Sequence, residues 1–213
     1  QWLSGAPPNL VRFVGPRAVT LDGTSFVVVS DASGIIWRVP RAGTSNVTRM
    51  AGVPFVSGSA GDGGLAIDAM FDDPRTLIFT PGGAYLVLER GACIIRRVVS
   101  SGVVATTAGG AYACSYLDAT APTSARFVAP SSMARTDAGD VYIADTGSAS
   151  VRLLKSNGSV VTVFGQGNSP AIIGLDEGDG GPARLAWLIN PFAIEPDGRG
   201  GLYVSHAFTA GTI

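Results

Sequence analysis

A four-residue block, large apolar residue, two variable residues, then proline, recurs along this chain and constrains its fold more than any other feature. It reads Phe13-Val14-Gly15-Pro16, Phe71-Asp72-Asp73-Pro74, Phe127-Val128-Ala129-Pro130 and Leu188-Ile189-Asn190-Pro191, with the prolines 58, 56 and 61 residues apart. Self-similarity at such a period marks a repeat architecture, in which each unit leaves an apolar face for its neighbour to cover.

Each repeat carries the same order of elements. A short apolar stretch follows the proline (Ala18–Leu21, Thr76–Phe79, Ser132–Ala134, Phe192–Ile194) and then a turn rich in Gly and Asp. Second strands are predicted at Phe26–Val29, Tyr85–Leu88, Val141–Ala144 and Leu202–Val204, and third strands at Ile35–Val39, Ile94–Val98 and Val151–Leu154. Fourth strands are predicted at Val47–Gly52, Val103–Gly109 and Val160–Gly165. Val, Ile and aromatic runs broken by glycine favour strands, and no segment keeps a helical period. Four strands per repeat predict an all-β chain of four-stranded antiparallel blades, a β-propeller or a segment of one with about 3.5 repeats. The repeats run roughly 16–73, 74–129 and 130–190, with a partial unit at 191–213, and the whole of 1–213 reads as one propeller region.

Two further motifs make a resemblance specific. The second strand ends in an acid, as in Ile143-Ala144-Asp145-Thr146-Gly147, with Val151-Arg152 opening the third. The loops Gly61-Asp62-Gly63-Gly64-Leu65-Ala66 and Gly178-Asp179-Gly180-Gly181-Pro182-Ala183 lead to the next proline, and Asp62, Asp118 and Asp179 each precede that proline by twelve residues. In these features the chain resembles the NHL-repeat propellers of the long-loop variety. The second repeat departs from the pattern with Leu117, Ala119 and Thr120 around Asp118, and the strand-ending acid is Asp31 or Asp145 in two repeats, Glu89 in another and His206 in the last. Both ends of the sequence fall inside the repeat pattern, so the ring is expected to be completed by more chain or by another subunit.

An acid and an arginine stand seven residues apart in Asp31/Arg38, Glu89/Arg96 and Asp145/Arg152. Recurrence in every unit points to blade construction, as a clamp on the turn between strands or between blades, ahead of a ligand-binding ring. The aspartates of the long loops are expected to cap their own tight turns through neighbouring N–H groups. One carboxylate per loop is too few for calcium, and the glycines lack the following helix of a phosphate cradle. His206 is the only histidine, which leaves no catalytic zinc set and no supported serine triad. No catalytic residue, metal or cofactor is therefore expected in this chain. Trp37, Phe71, Phe127 and Trp187 are expected in the core.

The non-recurring residues speak to location. Cys93 and Cys114 fall in two loops predicted on one face of a single repeat, where a disulfide can close and would require an oxidising compartment. Asn46-Val47-Thr48 and Asn157-Gly158-Ser159 are glycosylation sequons in turns on the opposite face. With formal net charge −1 and a single lysine, Lys155, the chain lacks the basic field that nucleic acid needs. No apolar run is long enough for a membrane-spanning helix. The expected function is a non-catalytic interaction or scaffold module, extracellular or on the cell surface, binding protein or glycan. It would be glycosylated and disulfide-bonded, with self-assembly into a larger structure as a variant. The alternative is a propeller enzyme of the lyase or lactonase type with its catalytic residues outside this segment. An RNA-binding propeller is a third class, disfavoured by the charge balance.

Overall fold

Runs of β-branched and aromatic residues separated by glycine turns become short antiparallel strands, as their propensities require. The computed structural model describes residues 5, 7, 10–22, 26–41, 46–167 and 180–206, with the strand at 26–31 described by its backbone. Contacts divide the chain into two units, Gln1–Thr107 and Ala108–Ile213.

In the first unit, β1 (Pro16–Leu21), β2 (Phe26–Asp31), β3 (Ile36–Pro40) and β4 (Thr48–Ala51) form one sheet in chain order. A second sheet of the same order follows with β5 (Pro74–Phe79), β6 (Tyr85–Glu89), β7 (Ile94–Val98) and β8 (Val104–Ala108). The second unit holds a third such sheet, β9 (Ser132–Arg135), β10 (Val141–Asp145), β11 (Ser150–Leu154) and β12 (Val160–Phe164), and the pair β13 (Pro191–Pro196) and β14 (Leu202–His206). These are the up-and-down blades of a β-propeller, as the repeat predicts. Short 3-10 turns, such as Ala66–Asp68, Pro122–Ser124 and Ala183–Leu185, were not foreseen; they punctuate the long loops that lead to the next blade.

Within each unit, neighbouring blades share a core. In the first, Ile36, Ala51, Leu77, Tyr85, Val87 and Val104 pack with Phe71, the apolar residue of the repeated block. In the second, Ala144 and Val151 pack with Leu188 and Ile194, so the block's apolar residue again fills the space between blades. Trp37 is also buried and meets Phe13 edge-on, with ring centroids 6.3 Å apart. All of β6 is buried, which is why its sequence is continuously apolar up to Glu89.

The residue before each repeat proline adopts the left-handed conformation: Gly15, Asp73, Ala129 and Asn190, with φ of 54°, 48°, 48° and 47°. Three of these are the residue types that tolerate that region, and Ala129 is the exception. Just after three of the prolines the pairing register skips a residue, between Pro16 and Ala18, Pro74 and Thr76, and Pro191 and Ala193. These bulges turn Arg17, Arg75 and Phe192 out of the ladder. Ala129→Gly removes the left-handed strain at a modest entropic cost, so the variant should gain roughly 0.5–1 kcal/mol. Urea denaturation should report this as a higher midpoint with an unchanged slope.

Candidate functional site

Two third-strand arginines, Arg96 and Arg152, are densely hydrogen-bonded. Arg152 on β11 has no exposed surface, yet all five of its N–H donors are satisfied. Nε donates to Asp118 Oδ1 at 3.1 Å, and Nη2 donates to the same oxygen at 2.6 Å and to the Leu117 carbonyl at 2.8 Å. Nη1 donates to Asp145 Oδ2 at 3.1 Å and to the Arg126 carbonyl at 2.9 Å. The guanidinium also lies over the rings of Tyr116 and Phe127, 4.7 and 5.6 Å from their centroids. Arg96 on β7 repeats the plan with Asp62 at 2.9 Å, the Met70 carbonyl at 2.7 Å and the ring of Phe71 at 4.9 Å.

These contacts revise the role expected of the loop aspartates. Asp62 and Asp118 do not cap their own turns; each reaches across to the third and fourth strands of the blade that follows. Asp118 Oδ2 accepts the Thr162 N–H at 3.0 Å, and Asp62 Oδ2 accepts the Thr106 N–H at 2.9 Å. The backbone does likewise. Gly63 and Gly64 exchange hydrogen bonds with Val104 at 2.8 and 3.0 Å, and Ala119 exchanges two with Val160 at 3.0 and 2.8 Å. The loop therefore covers the open edge of the blade's outer strand. At the far end of the clamp, Glu89 and Asp145 accept the N–H of Asp72 and of Val128, at 2.9 and 2.6 Å, fixing the block before the proline. In the first blade, Arg38 lies 3.6 Å from Asp22, while the side chain of Asp31 and all of Asp179 lie outside the described residues.

The two clamps differ in charge balance. Asp145 is buried but directly bonded by Arg152, and burial pushes its carboxyl up only to about 6. Glu89 sits 3.7 Å from Arg96, and its Oε1 accepts no hydrogen bond among the described residues. Burial pushes that carboxyl up to about 8, against the Asp72 N–H and Arg96. Burial also works to raise the Asp62 carboxyl, but hydrogen bonds from Thr106 and the pull of Arg96 outweigh it and hold the group below its usual range.

The arginines and their acids are thus committed to the fold, and the side chains still open to solvent lie elsewhere. In the first unit, the β2–β3 turn, the segment Phe55–Ser57 and the block Phe71–Asp73 enclose a cavity of about 390 Å³. Arg17, Ser33, Phe55, Ser57, Asp72 and Asp73 supply its functional groups. Ser57 Oγ donates to Asp72 Oδ1 at 2.6 Å. Asp73 Oδ2 receives both Nε and Nη2 of Arg75, at 3.0 and 2.7 Å, while Arg17 and Arg90 each stand 4.0 Å from this carboxylate. A second cavity of about 330 Å³ lies in the second unit between the β9–β10 and β13–β14 turns, lined by Arg135, Asp137, Tyr142 and Glu195 among others. Sequence reasoning missed the first cavity, although the arginine directly after the repeat proline in two blades was a visible signal.

Both cysteines, Cys93 and Cys114, are disulfide-bonded. The sequon residues Asn46 and Asn157 are exposed, and Asn157 Oδ1 accepts the Ser159 hydroxyl at 2.8 Å. Among the described residues no group of three or more His, Cys, Asp or Glu side chains is placed to hold a metal ion. No helix among them is long and apolar enough to cross a membrane.

No family model matches the chain, and no curated protein matches it. Solved structures do. A protein of unknown function from Bacteroides thetaiotaomicron is 24% identical over 91% of this chain and 45% of that one, with a TM-score of 0.72. An auxiliary nutrient binding protein from Bacteroides ovatus is 21% identical over 92% and 46%, with a TM-score of 0.67. Virginiamycin B lyase from Staphylococcus aureus is 13% identical over 91% and 49%, with a TM-score of 0.55. The chain spans less than half the length of each of these neighbours. Such identities establish the propeller fold, which binding proteins and an enzyme share. The expectation that the chain is not an enzyme is overturned on that ground: a lyase is built on the same blades, so the structural use of the repeated charges is no argument against catalysis.

Because the folded-state acidity of Glu89 is weakened from its ordinary 4.5 to about 8, the native state binds the proton more tightly than the unfolded chain does. Its contribution to stability is then fullest below pH 4.5 and is lost as pH rises through about 8. Asp145 adds a smaller loss between its ordinary 3.8 and about 6. Glu89→Gln keeps an acceptor for the Asp72 N–H, and it should remove most of the decline between pH 5 and pH 8. Urea titrations at the two pH values should show a wild-type loss on the order of a few kcal/mol and a much smaller one in the variant.

Proposed function

We propose that this chain is part of an NHL-type propeller that acts as an extracellular or cell-surface binding module, with a glycan or a protein as its partner. The observation that carries the reading is the cavity formed by Phe55–Ser57, the β2–β3 turn and the block Phe71–Asp73. A rigid sheet scaffold that presents polar and aromatic groups on its loops is a common design for recognition. The repeat motifs and the propeller neighbours support family membership. The nutrient-binding description of one neighbour supports a binding role. The disulfide of Cys93 and Cys114 supports an oxidising compartment. In a eukaryotic secretory pathway, Asn46 and Asn157 would both be reachable by the glycosylation machinery.

The immobilised chain, offered a panel of soluble polysaccharides and a panel of secreted proteins, should bind at least one member saturably. Biolayer interferometry checks this, and the heat-denatured chain should lose the signal. Absence of saturable binding to every member of both panels would overturn the reading.

A further inference from the structure

Phe55 joins a left-handed backbone to a largely exposed ring in the lining of the first cavity. Its φ is +59°, in the left-handed region that side chains avoid, and 64% of its surface is exposed. It is the third residue of the turn Val53–Val56, closed by the Val56 N–H on the Val53 carbonyl at 3.3 Å, and its own N–H donates to the Ser33 carbonyl at 3.1 Å. With positive φ, that position of a turn belongs to glycine. A phenylalanine there combines backbone strain with an apolar ring that is mostly exposed. The second unit has the same arrangement at Tyr112, with φ +58° and 56% exposure, third in the turn closed by the Ala113 N–H on the Gly110 carbonyl. Each aromatic stands three residues after the glycine that follows a fourth strand, Gly52 and Gly109. Backbone strain held at an exposed aromatic that lines a cavity points to a role at that surface.

The groups around Phe55 indicate what it faces. The bulge after Pro16 takes Arg17 out of the β1–β2 ladder and places it on the cavity wall. Its guanidinium lies 4.0 Å from Asp73, beyond hydrogen-bonding distance, and that carboxylate is already held by the fork of Arg75. Arg17, Arg75 and Arg90 surround Asp73, with Asp72 the other acid on the wall, so the cluster carries one positive charge in excess. Asp72 and Ser57 offer a paired acceptor and hydroxyl on the same wall.

We propose that this cavity binds a uronate, a sugar ring bearing a carboxylate. The apolar face of the ring would lie on Phe55, its carboxylate would meet Arg17, and its hydroxyls would bond to Asp72 and Ser57. A free inorganic anion has no use for an exposed aromatic platform, and an apolar ligand has none for the arginine and the acceptor pair. Arginine matches a carboxylate with two parallel N–H donors, and the volume of about 390 Å³ falls in the range of small-molecule sites. This assignment rests on the binding-module reading and names its ligand class.

The test is isothermal titration of the chain with a galacturonate trimer, a glucuronate-containing tetrasaccharide and a neutral galactose trimer. At least one acidic sugar should bind, at least tenfold more tightly than the neutral trimer, and the affinity should fall with salt. Phe55→Gly should weaken that binding at least tenfold without lowering Tm, because glycine suits the backbone at this position. Arg17→Gln should weaken it to a similar degree and flatten the salt dependence. The assignment fails if neither acidic sugar binds, if the neutral trimer binds as well, or if Phe55→Gly leaves affinity intact. It also fails if Phe55→Gly lowers Tm by several degrees, since the ring would then serve the fold. Saturable binding in the wider panels that survives Phe55→Gly would overturn the uronate site and leave the binding-module reading standing. Silence in every panel would remove both.

Discussion

In the second and third blades a buried arginine ties a loop, two strands and the repeated proline block together. Arg152 joins Asp118 of the incoming loop to Asp145 at the end of the second strand, and Arg96 does the same for Asp62 and Glu89. The loop then completes the blade's outer edge, and the acid fixes the N–H just after the block's apolar residue. A blade of four short strands has little core of its own. The arginine supplies what propensity does not, a reason for the long loop to adopt one path and for the strands to hold one register. Burying charge in this way is costly, and replacing one partner leaves the other stranded, which is why such clusters are more sensitive to substitution than surface pairs. The raised pKa of Glu89 reflects that cost, where a longer side chain stops 3.7 Å from its arginine.

The loop-face chemistry depends on that arrangement. Because Glu89 fixes the backbone of Asp72, and the Asp72 carboxylate lines the cavity, the structural clamp also sets the geometry of the candidate site. The bulge after the repeat proline is part of the same local geometry and carries Arg17 to the wall. Clamp and cavity are therefore adjacent: the acids and arginines of the clamp bond within the fold, whereas Phe55, Arg17, Ser57 and Asp72 line the first cavity.

Much of the fold was legible because it rests on short-range rules that repeat. Glycine turns, alternating strands and the proline block recur often enough to mark blades, and Phe71, Phe127 and Trp37 are in the core as expected. The pairing of Asp62 with Arg96 was not legible, since 34 residues separate them and the aspartate's own turn offered a nearer explanation. Seven-residue spacing did reveal Glu89/Arg96 and Asp145/Arg152, because adjacent antiparallel strands bring such positions together. Phe55 was invisible for a different reason. A lone aromatic after a proline reads as ordinary loop, and only its dihedral angle and exposure set it apart. The expectation of a chain without catalysis rested on the lone His206 and the lack of a catalytic motif, and a lyase of the same fold overturns it.

The arginine clamp, more than the loop's own turn chemistry, holds the long loop to its blade. A double-mutant cycle between Arg152 and Asp118, using Arg152→Met and Asp118→Asn in urea denaturation, tests it most directly. The coupling energy should exceed about 2 kcal/mol, because Asp118→Asn takes a countercharge from the fully buried guanidinium that Arg152→Met removes. Additive effects, with coupling near zero, would show that the loop aspartate and the buried arginine act independently and would contradict the account.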